Sequence, residues 1–147
     1  MRAQERDAFL NYFKEDEGKL RVGFCVLGGS FSEGVDLPGS RLIGAIVVGV
    51  GIPGLSNERN MLRDYYENKC ERGYDYAYTY PGMNRVLQAA GRVIRDEADR
   101  GVVVLIDDRY ADEPYLHLYP KHWESIVAAS DPSALARRLQ LFWSEKQ

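Results

Sequence analysis

The sequence has few cysteines and no long apolar run. Its two cysteines, Cys25 and Cys70, lie far apart without CxxC spacing, which excludes a four-thiolate metal cluster and argues against a disulfide framework. No apolar stretch reaches the roughly 18 residues that a membrane-spanning helix needs. The charged N-terminus is unlike a signal peptide. We therefore expect a cytoplasmic protein that makes no membrane contact.

An excess of basic charge is also missing, because the net charge of the 147-residue chain is −3 at pH 7. The hydrophobic fraction of 45% and the charged fraction of 28% are those of an ordinary globular domain. His117 and His122 have no companions at metal-ligand spacing, so we expect structural roles for them and no metal site. Any contact with nucleic acid must be local or shared with another domain.

Alternating strand and helix patterns predict an α/β fold with a parallel sheet. Buried strands are predicted by the apolar segments 20–27, 41–50 and 101–107. Helices are predicted at 3–17, 57–71, 82–96, 114–118, 121–128 and 133–144. Ser56 or Asn57 is expected to cap the second helix, and Asp131 the last. The segment YDYAYTYPG, residues 74–82, is predicted to be extended or irregular.

The predicted strands suggest that the sheet is incomplete. Strands that are apolar on both faces are typical of a parallel sheet covered by helices. A doubly wound sheet usually has about five or six strands, more than the sequence predicts. We therefore expect that the natural domain extends beyond the N-terminal side of this chain.

The segment PGMNRVLQAAGRVIR, residues 81–95, places polar donors along one side of a predicted helix. At about 100° per residue, four polar side chains fall within an arc of roughly 80°: Arg85, Gln88, Arg92 and Arg95. Guanidinium groups are permanently charged and suit phosphate oxygens. Next to a transferring phosphoryl group, such a group stabilises the charge of the transition state. A solvated face paired with nearby carboxylates explains the same pattern, so the spacing alone leaves both interpretations open.

A glycine-rich loop, LGGSFSEGVDLPGSRL at residues 27–42, follows the first predicted strand. Its glycines allow backbone N–H groups to approach an anion closely. Its serine hydroxyls add donors, whereas Glu33 and Asp36 add acceptors. A flexible surface loop with ordinary turn residues has the same composition, so this loop alone is also ambiguous.

Together, the two segments resemble motifs V and VI of the DinG/XPD-type superfamily-2 DNA helicases. The motif V resemblance lies at 28–39, and the motif VI resemblance lies at 88–95 and continues into the strand at 101–107. Both occur in the family's order, and each adjoins a predicted strand. The resemblance implies that residues 1–147 form part of a second RecA-like (P-loop NTPase-like) motor domain without motif IV. The tail, residues 125–147, has no assigned role.

For motif VI, the resemblance implies a site that reaches ATP bound on the first motor domain of the same protein. Gln88 is then the sensor of the γ-phosphate, and Arg92 and Arg95 are the arginine fingers. Arg85 lies outside the motif and receives no role.

For motif V, the resemblance implies two functions along one loop. Contact with single-stranded DNA is implied for Ser30, Phe31 and Ser32. Coupling to the nucleotide is implied for Glu33, Gly34 and Asp36.

The sequence lacks a GxxxxGK[ST] phosphate loop. No DExD or DExH box is expected to hold Mg²⁺, because the letters DEAD at residues 96–99 belong to the short acidic turn that follows Arg95. In the resembled family the phosphate loop and the box belong to the first motor domain, and many members also carry an iron–sulfur cluster there. We therefore expect a longer parent protein that is an ATP-dependent DNA helicase and holds ATP with Mg²⁺ mainly on that domain. The present chain is expected to be inactive as an ATPase alone. A non-catalytic module that binds nucleic acid or protein is the alternative.

Another segment, GVGIPG at residues 49–54, fits the GxGxxG pattern of dinucleotide-binding proteins. Asp75 follows about 20 residues later, at the spacing expected for the acidic residue that binds the ribose. Pro53 precedes the third glycine, however, and the predicted helix cap comes later. Asp75 is also not at the end of a predicted strand. An oxidoreductase is therefore the weaker alternative.

Tyrosines are concentrated between residues 65 and 80. Aromatic rings stack on single-stranded bases in many nucleic-acid-binding proteins. Such rings more often pack a loop against a sheet, and we expect packing here. The tyrosines are Tyr65, Tyr66, Tyr74, Tyr76, Tyr78 and Tyr80.

Overall fold

The computed structural model describes residues 3–13, 18–29, 37, 41–95, 99–123 and 126–145. The α-helices are α1 (Ala3–Tyr12), α2 (Asn57–Cys70), α3 (Tyr80–Ala90), α4 (Glu113–Leu116) and α5 (Pro132–Ser144). The strands are β1 (Gly44–Val48) and β2 (Val102–Ile106). A π-helical turn (Asp75–Thr79) precedes α3, and a 3-10 helix (Asp108–Ala111) follows β2. Among these residues, no helix combines the length and the apolar character that crossing a bilayer requires.

Strands β1 and β2 pair in parallel, with Gly44 opposite Val102 and Val48 opposite Ile106. The chain between them passes through α2 and α3, because parallel neighbours need a long crossover connection. Both strands were predicted from apolar runs. The parallel pairing confirms the α/β class.

The core lies between one face of the sheet and α3. Val47 of β1 and Val50 after it are buried against Met83 and Val86 of α3, and Tyr110 joins them from the segment after β2. The Tyr110 hydroxyl donates to the carbonyl oxygen of Gly49 over 2.8 Å. That bond ties the end of β1 to the chain that leaves β2.

The opposite face of the sheet is exposed in the part of the chain that the structure describes. Ile46 is 69% and Val48 is 76% exposed, and Ile106 is 50% exposed. The sequence pattern predicted helices over both faces of the sheet. The exposure of these three side chains differs from that prediction.

The strand predicted at 20–27 is absent, and this prediction was wrong. Residues 19–26 have no regular secondary structure, and Phe24 is 93% exposed. A strand needs a hydrogen-bonded neighbour, whereas the sheet of the described residues contains β1 and β2 alone. The segment instead packs on α1 at Gly23, where an added Cβ would lie 2.7 Å from the Phe9 ring. Its apolar composition therefore did not suffice to form a strand.

The extended segment predicted at 74–82 is helical, and this prediction was also wrong. The rings of Tyr66 and Tyr76 stack at 3.9 Å with an interplanar angle of 6°. Tyr76 also contacts Tyr80, four residues later, at a centroid distance of 5.2 Å. Buried Tyr78 donates from its hydroxyl to Asn60 Oδ1 over 3.3 Å. These contacts pack the π-helical turn on α2, and they outweigh the β-propensity of tyrosine.

Two predicted helix starts are confirmed by their caps. Ser56 Oγ accepts from the backbone N–H of Arg59 at the start of α2, and Asp131 Oδ1 accepts from that of Ala134 over 2.8 Å at the start of α5. Helix α1 ends at Tyr12, and residues 14–17 lie outside the described part. The helix predicted at 121–128 is not formed by the described residues of that range.

Arg100 connects the C-terminal helix to the short segment that leads into β2. Its Nη2 donates to the carbonyl oxygen of Phe142. The guanidinium carbon lies 4.7 Å from the centroid of the Phe142 ring and 5.5 Å from that of Trp143. Cation–π contacts of this kind help hold α5 beside the start of β2.

Candidate functional site

The predicted helix 82–96 begins earlier, at Tyr80, and ends at Ala90. After Gly91 the backbone tightens, because Arg92 N–H donates to Ala89 and Val93 N–H donates to Ala90, three residues back. Glycine and β-branched valine are poor helix formers. Arg92 and Arg95 therefore lie in a turn after α3 rather than on its face. The prediction that four polar side chains share one arc of a single helix was wrong.

We refer to residues 91–95 as the arginine turn. Arg95 is exposed and Arg92 is half-buried. Arg95 Nε donates to the carbonyl oxygen of Arg92 over 3.2 Å, and the backbone N–H of Arg95 donates to Asp99 Oδ2 over 2.9 Å. These bonds close the turn and bring the two arginines together. Gln88 is exposed on the last turn of α3, just before them.

Buried apolar residues fix the arginine turn to the core. Val86 is fully buried, and Ala90 and Val93 are each 3% exposed. The Val93 side chain lies against Gly101, where no side chain would fit. The next residue, Ile94, is 50% exposed. The backbone of the turn is therefore anchored by Val93, while the side chain of Arg95 stays exposed.

Arg85 does not join the outward-facing donors that the spacing predicted. It is half-buried, and its guanidinium lies so close to Gly28 that a Cβ there would be 3.1 Å from Arg85 Cζ. Its Nη1 donates to the carbonyl oxygen of Gly51, 34 positions earlier in the chain, over 3.4 Å. No local pattern signals a contact over such a separation. Sequence reasoning therefore left Arg85 without a role.

The glycine-rich loop is described only in part. Gly28 has a φ of +80°, which favours glycine, and Gly29 N–H donates to the carbonyl oxygen of Val26 over 3.0 Å. Leu37 is buried. The residues for which DNA or nucleotide contact was predicted lie outside the described part: Ser30, Phe31, Ser32, Glu33, Gly34 and Asp36.

Another arginine, Arg109, is already paired beyond the end of β2. Its Nε and Nη2 donate to the two carboxylate oxygens of Asp107, each over 2.8 Å. The hydrogen bonds from Arg109 lower the pKa of Asp107 below its ordinary value. The same carboxylate accepts from Arg109 N–H at the start of the 3-10 helix. This bidentate pair has a local structural role.

The GVGIPG segment packs against α3 rather than opening a helix. Gly51 has a φ of +67°, and an added Cβ would lie 2.6 Å from the carbonyl oxygen of Gly82. Helix α2 starts at Asn57, after its cap Ser56. Asp75 lies in the π-helical turn and pairs with Arg72. This geometry argues against a dinucleotide-binding site.

Metal ligands are also not grouped in the described ranges, which lack any cluster of three His, Cys, Asp or Glu residues that could hold an ion. Around the arginine turn, the exposed side chains of Gln88 and Arg95 supply hydrogen-bond donors. Permanently charged donors of this kind match the oxygens of a phosphate group. The local chemistry therefore suits an anion rather than a metal ion.

Comparison with known proteins matches residues 1–126 to the family described as the helicase C-terminal domain. A regulator of telomere elongation helicase 1 homolog from Caenorhabditis elegans is 30% identical over 142 residues, which cover 90% of this chain and 14% of the relative. The general transcription and DNA repair factor IIH helicase subunit XPD from Dictyostelium discoideum is 31% identical over 112 residues, covering 74% of this chain and 14% of the relative. ATP-dependent DNA helicase chl-1 from Caenorhabditis elegans is 33% identical over 110 residues, covering 73% and 13%.

These alignments agree with the motifs and with the parallel pairing of β1 and β2. The chain spans 14% or less of the length of each of these relatives. The matched residues include α3, the arginine turn and both strands. The chain therefore belongs to the helicase C-terminal domain family of the DinG/XPD-type superfamily-2 helicases, and its fold is that of a RecA-like domain.

Proposed function

We propose that this chain supplies one half of the ATP site of an ATP-dependent DNA helicase, the other half being the first motor domain of the same parent protein. The observation that carries the proposal is the arginine turn. Its backbone is anchored by buried Val93 and by the bond from Arg95 to Asp99. An anchored turn that carries guanidinium groups suits a finger site, because preorganised charge costs little reorganisation during the reaction.

The residues of the turn fit the phosphates of ATP chemically. Arg92 and Arg95 would stabilise negative charge on the phosphoryl oxygens, and Gln88 would donate its amide N–H to the γ-phosphate. When bound, ATP with Mg²⁺ supplies the phosphoryl group and the metal that neutralises part of its charge. Both would be held mainly by the first motor domain. Any iron–sulfur cluster would likewise belong to the parent protein and not to this chain.

We also propose that the glycine-rich loop forms part of the track for single-stranded DNA. Ser30, Phe31 and Ser32 would contact the DNA, while Glu33, Gly34 and Asp36 would couple that contact to the nucleotide. The resemblance to motif V supports this assignment.

Alanine at Arg95 in the parent protein tests the finger role. We expect kcat for ATP hydrolysis to fall by about 10³-fold or more, with the Kd for ATP changed only a few-fold, because the guanidinium acts mainly on the transition state. Arg92→Ala and Gln88→Ala should behave similarly with smaller losses. Arg138→Ala is the matched control, because Arg138 is an exposed arginine on α5 that lies outside both motifs. Full turnover by Arg95→Ala would remove Arg95 from the proposed role.

The isolated chain provides a second test of the same proposal. Without the first motor domain, the purified 147-residue chain should hydrolyse ATP no faster than the buffer background. The parent protein should show turnover that single-stranded DNA stimulates. Robust hydrolysis by the isolated chain is incompatible with a split ATP site.

A further inference from the structure

Arg85 connects three segments that are distant in sequence. It projects from α3 one turn before Gln88, contacts Gly28 and donates to Gly51. We propose that Arg85 is a positioning residue that couples Gly28, near the start of the glycine-rich loop, to the helix that carries Gln88. This inference rests on the proposed function, because it explains how DNA contact at the glycine-rich loop changes the position of Gln88 at the ATP site.

The contact with Gly28 involves the whole end of the arginine side chain. A Cβ on Gly28 would lie 3.1 Å from both Cζ and Nε of Arg85, and 3.3 Å from its Cδ. Gly28 also has a φ of +80°, which side chains with a Cβ rarely adopt. The missing side chain therefore leaves the space in which the guanidinium lies. The position of Gly28 and that of Arg85 depend on each other.

The contact with Gly51 connects the arginine to a fixed point of the core. The loop 50–52 touches α3 a second time, because Gly51 and Gly82 approach so closely that a Cβ on Gly51 would lie 2.6 Å from the Gly82 carbonyl oxygen. Val50 in this loop is 1% exposed. Arg85 thus donates to a carbonyl that cannot move away from α3 without disrupting buried packing.

The order of these contacts gives the coupling its direction. In the sequence, Gly28 precedes by two positions the first residue proposed to contact DNA, Ser30. Gln88 lies three positions after Arg85, on the same side of α3. Movement of the chain at Gly28 therefore acts on Arg85 directly. Helix α3 carries that movement to Gln88 and to the arginine turn.

Arg85→Met in the parent protein tests the inference, because methionine keeps much of the volume but removes the charge and the donors. We expect the ratio of DNA-stimulated to basal kcat to fall about tenfold, with the KM for ATP changed less than about twofold. Arg85→Lys, which keeps the charge without the planar fork, should restore part of the ratio.

Arg59→Met is the matched control. Arg59 Nη1 donates to the carbonyl oxygen of Ala77 over 2.7 Å, which is the same kind of bond from α2. This variant should keep the stimulation ratio, even if it lowers Tm as much as Arg85→Met does. Equal losses of basal and stimulated rates in Arg85→Met would indicate a merely structural role and overturn the inference, as would an unchanged ratio. If the wild-type parent protein itself did not hydrolyse ATP, the proposed function would fail together with this inference. The failure of the inference alone leaves wild-type turnover intact, so the two failures are distinguishable.

Hydrogen exchange on the 147-residue chain tests the contact without any activity. Compared with Arg59→Met, Arg85→Met should accelerate amide exchange around Gly28 and Gly51 by about tenfold, because both lose a partner. Exchange that changes only within α3 would show that Arg85 does not hold these segments, and it would overturn the inference.

Discussion

Replacing Gly82 with alanine should destabilise the chain, although alanine is the better helix former. A Cβ on Gly82 would lie 2.6 Å from the Val50 carbonyl oxygen and 3.1 Å from Ile52 N. The gain in helix propensity is about 1 kcal/mol, whereas overpacking costs about 1–3 kcal/mol. Both contacts are with backbone atoms, so no side-chain rotation relieves them and the cost falls near the upper limit. The net loss in the free energy of unfolding is then about 1–2 kcal/mol.

Urea unfolding followed by far-UV circular dichroism measures this loss, and Tm should fall by about 2–8 °C. Gly54→Ala is the matched control, because nothing lies within 4 Å of the added Cβ. Its smaller unfolded-state entropy should leave it as stable as the wild type, or more stable by up to about 1 kcal/mol. If Gly82→Ala were as stable as the wild type, the close packing of α3 on the loop 50–52 would not contribute to stability and the reasoning would be refuted.

Two further variants test hydrogen bonds near the ends of the strands. Tyr110→Phe removes the buried hydroxyl that donates to Gly49 and should lower the free energy of unfolding by about 1–2 kcal/mol. The control is Tyr12→Phe, at a residue that is 58% exposed, and it should change the urea midpoint little. Equal losses of stability in the two variants would show that the bond from Tyr110 to Gly49 does not contribute. Asp107→Asn should weaken the pairing with Arg109. The pKa of Asp107 is lowered by hydrogen bonds from Arg109, so the wild type's advantage should be constant above about pH 5. It should decline as pH falls through the ordinary aspartate pKa of about 3.9 and the lower folded value. Unfolding curves between pH 3 and pH 7 measure this, and an advantage that grew on acidification would have the wrong sign.

Local signals predicted much of the fold. The apolar runs around β1 and β2 identify both strands, because five consecutive apolar or small residues are typical of a strand in a parallel sheet. Ser56 and Asp131 identify two helix starts, since a capping side chain bonds to the backbone within three residues. These features depend on neighbours in the sequence and are therefore readable from it.

Two of the failures involve contacts with distant residues. Residues 20–27 have the composition of a strand, but no neighbour among the described residues pairs with them. The tyrosines at 74–80 favour a strand by propensity, yet the stack of Tyr76 on Tyr66 and the burial of Tyr78 favour a helix. The end of α3 at Ala90 was missed because motif spacing suggested a continuous helix.

The candidate site divides in the same way. The resemblance to motif VI identified the residues of the arginine turn, and their roles remain proposals. The chemistry of Gln88, Arg92 and Arg95 is a property of the residue types, and it was predictable. The position of Arg85 between Gly28 and Gly51 depends on two loops that the sequence does not relate to each other. It could be found only from the structure.

The attachment of α5 through Arg100 also gives the chain an optical property. Trp123 and Trp143 are the two tryptophans of the sequence. In a Trp123→Phe variant, all tryptophan emission therefore comes from Trp143. That indole, 43% exposed, lies beside the guanidinium of Arg100. Arg100 directly follows Asp99, whose carboxylate accepts from the backbone of Arg95. Fluorescence from one native side chain can therefore report, without any added label, whether the C-terminal helix stays docked beside Arg100.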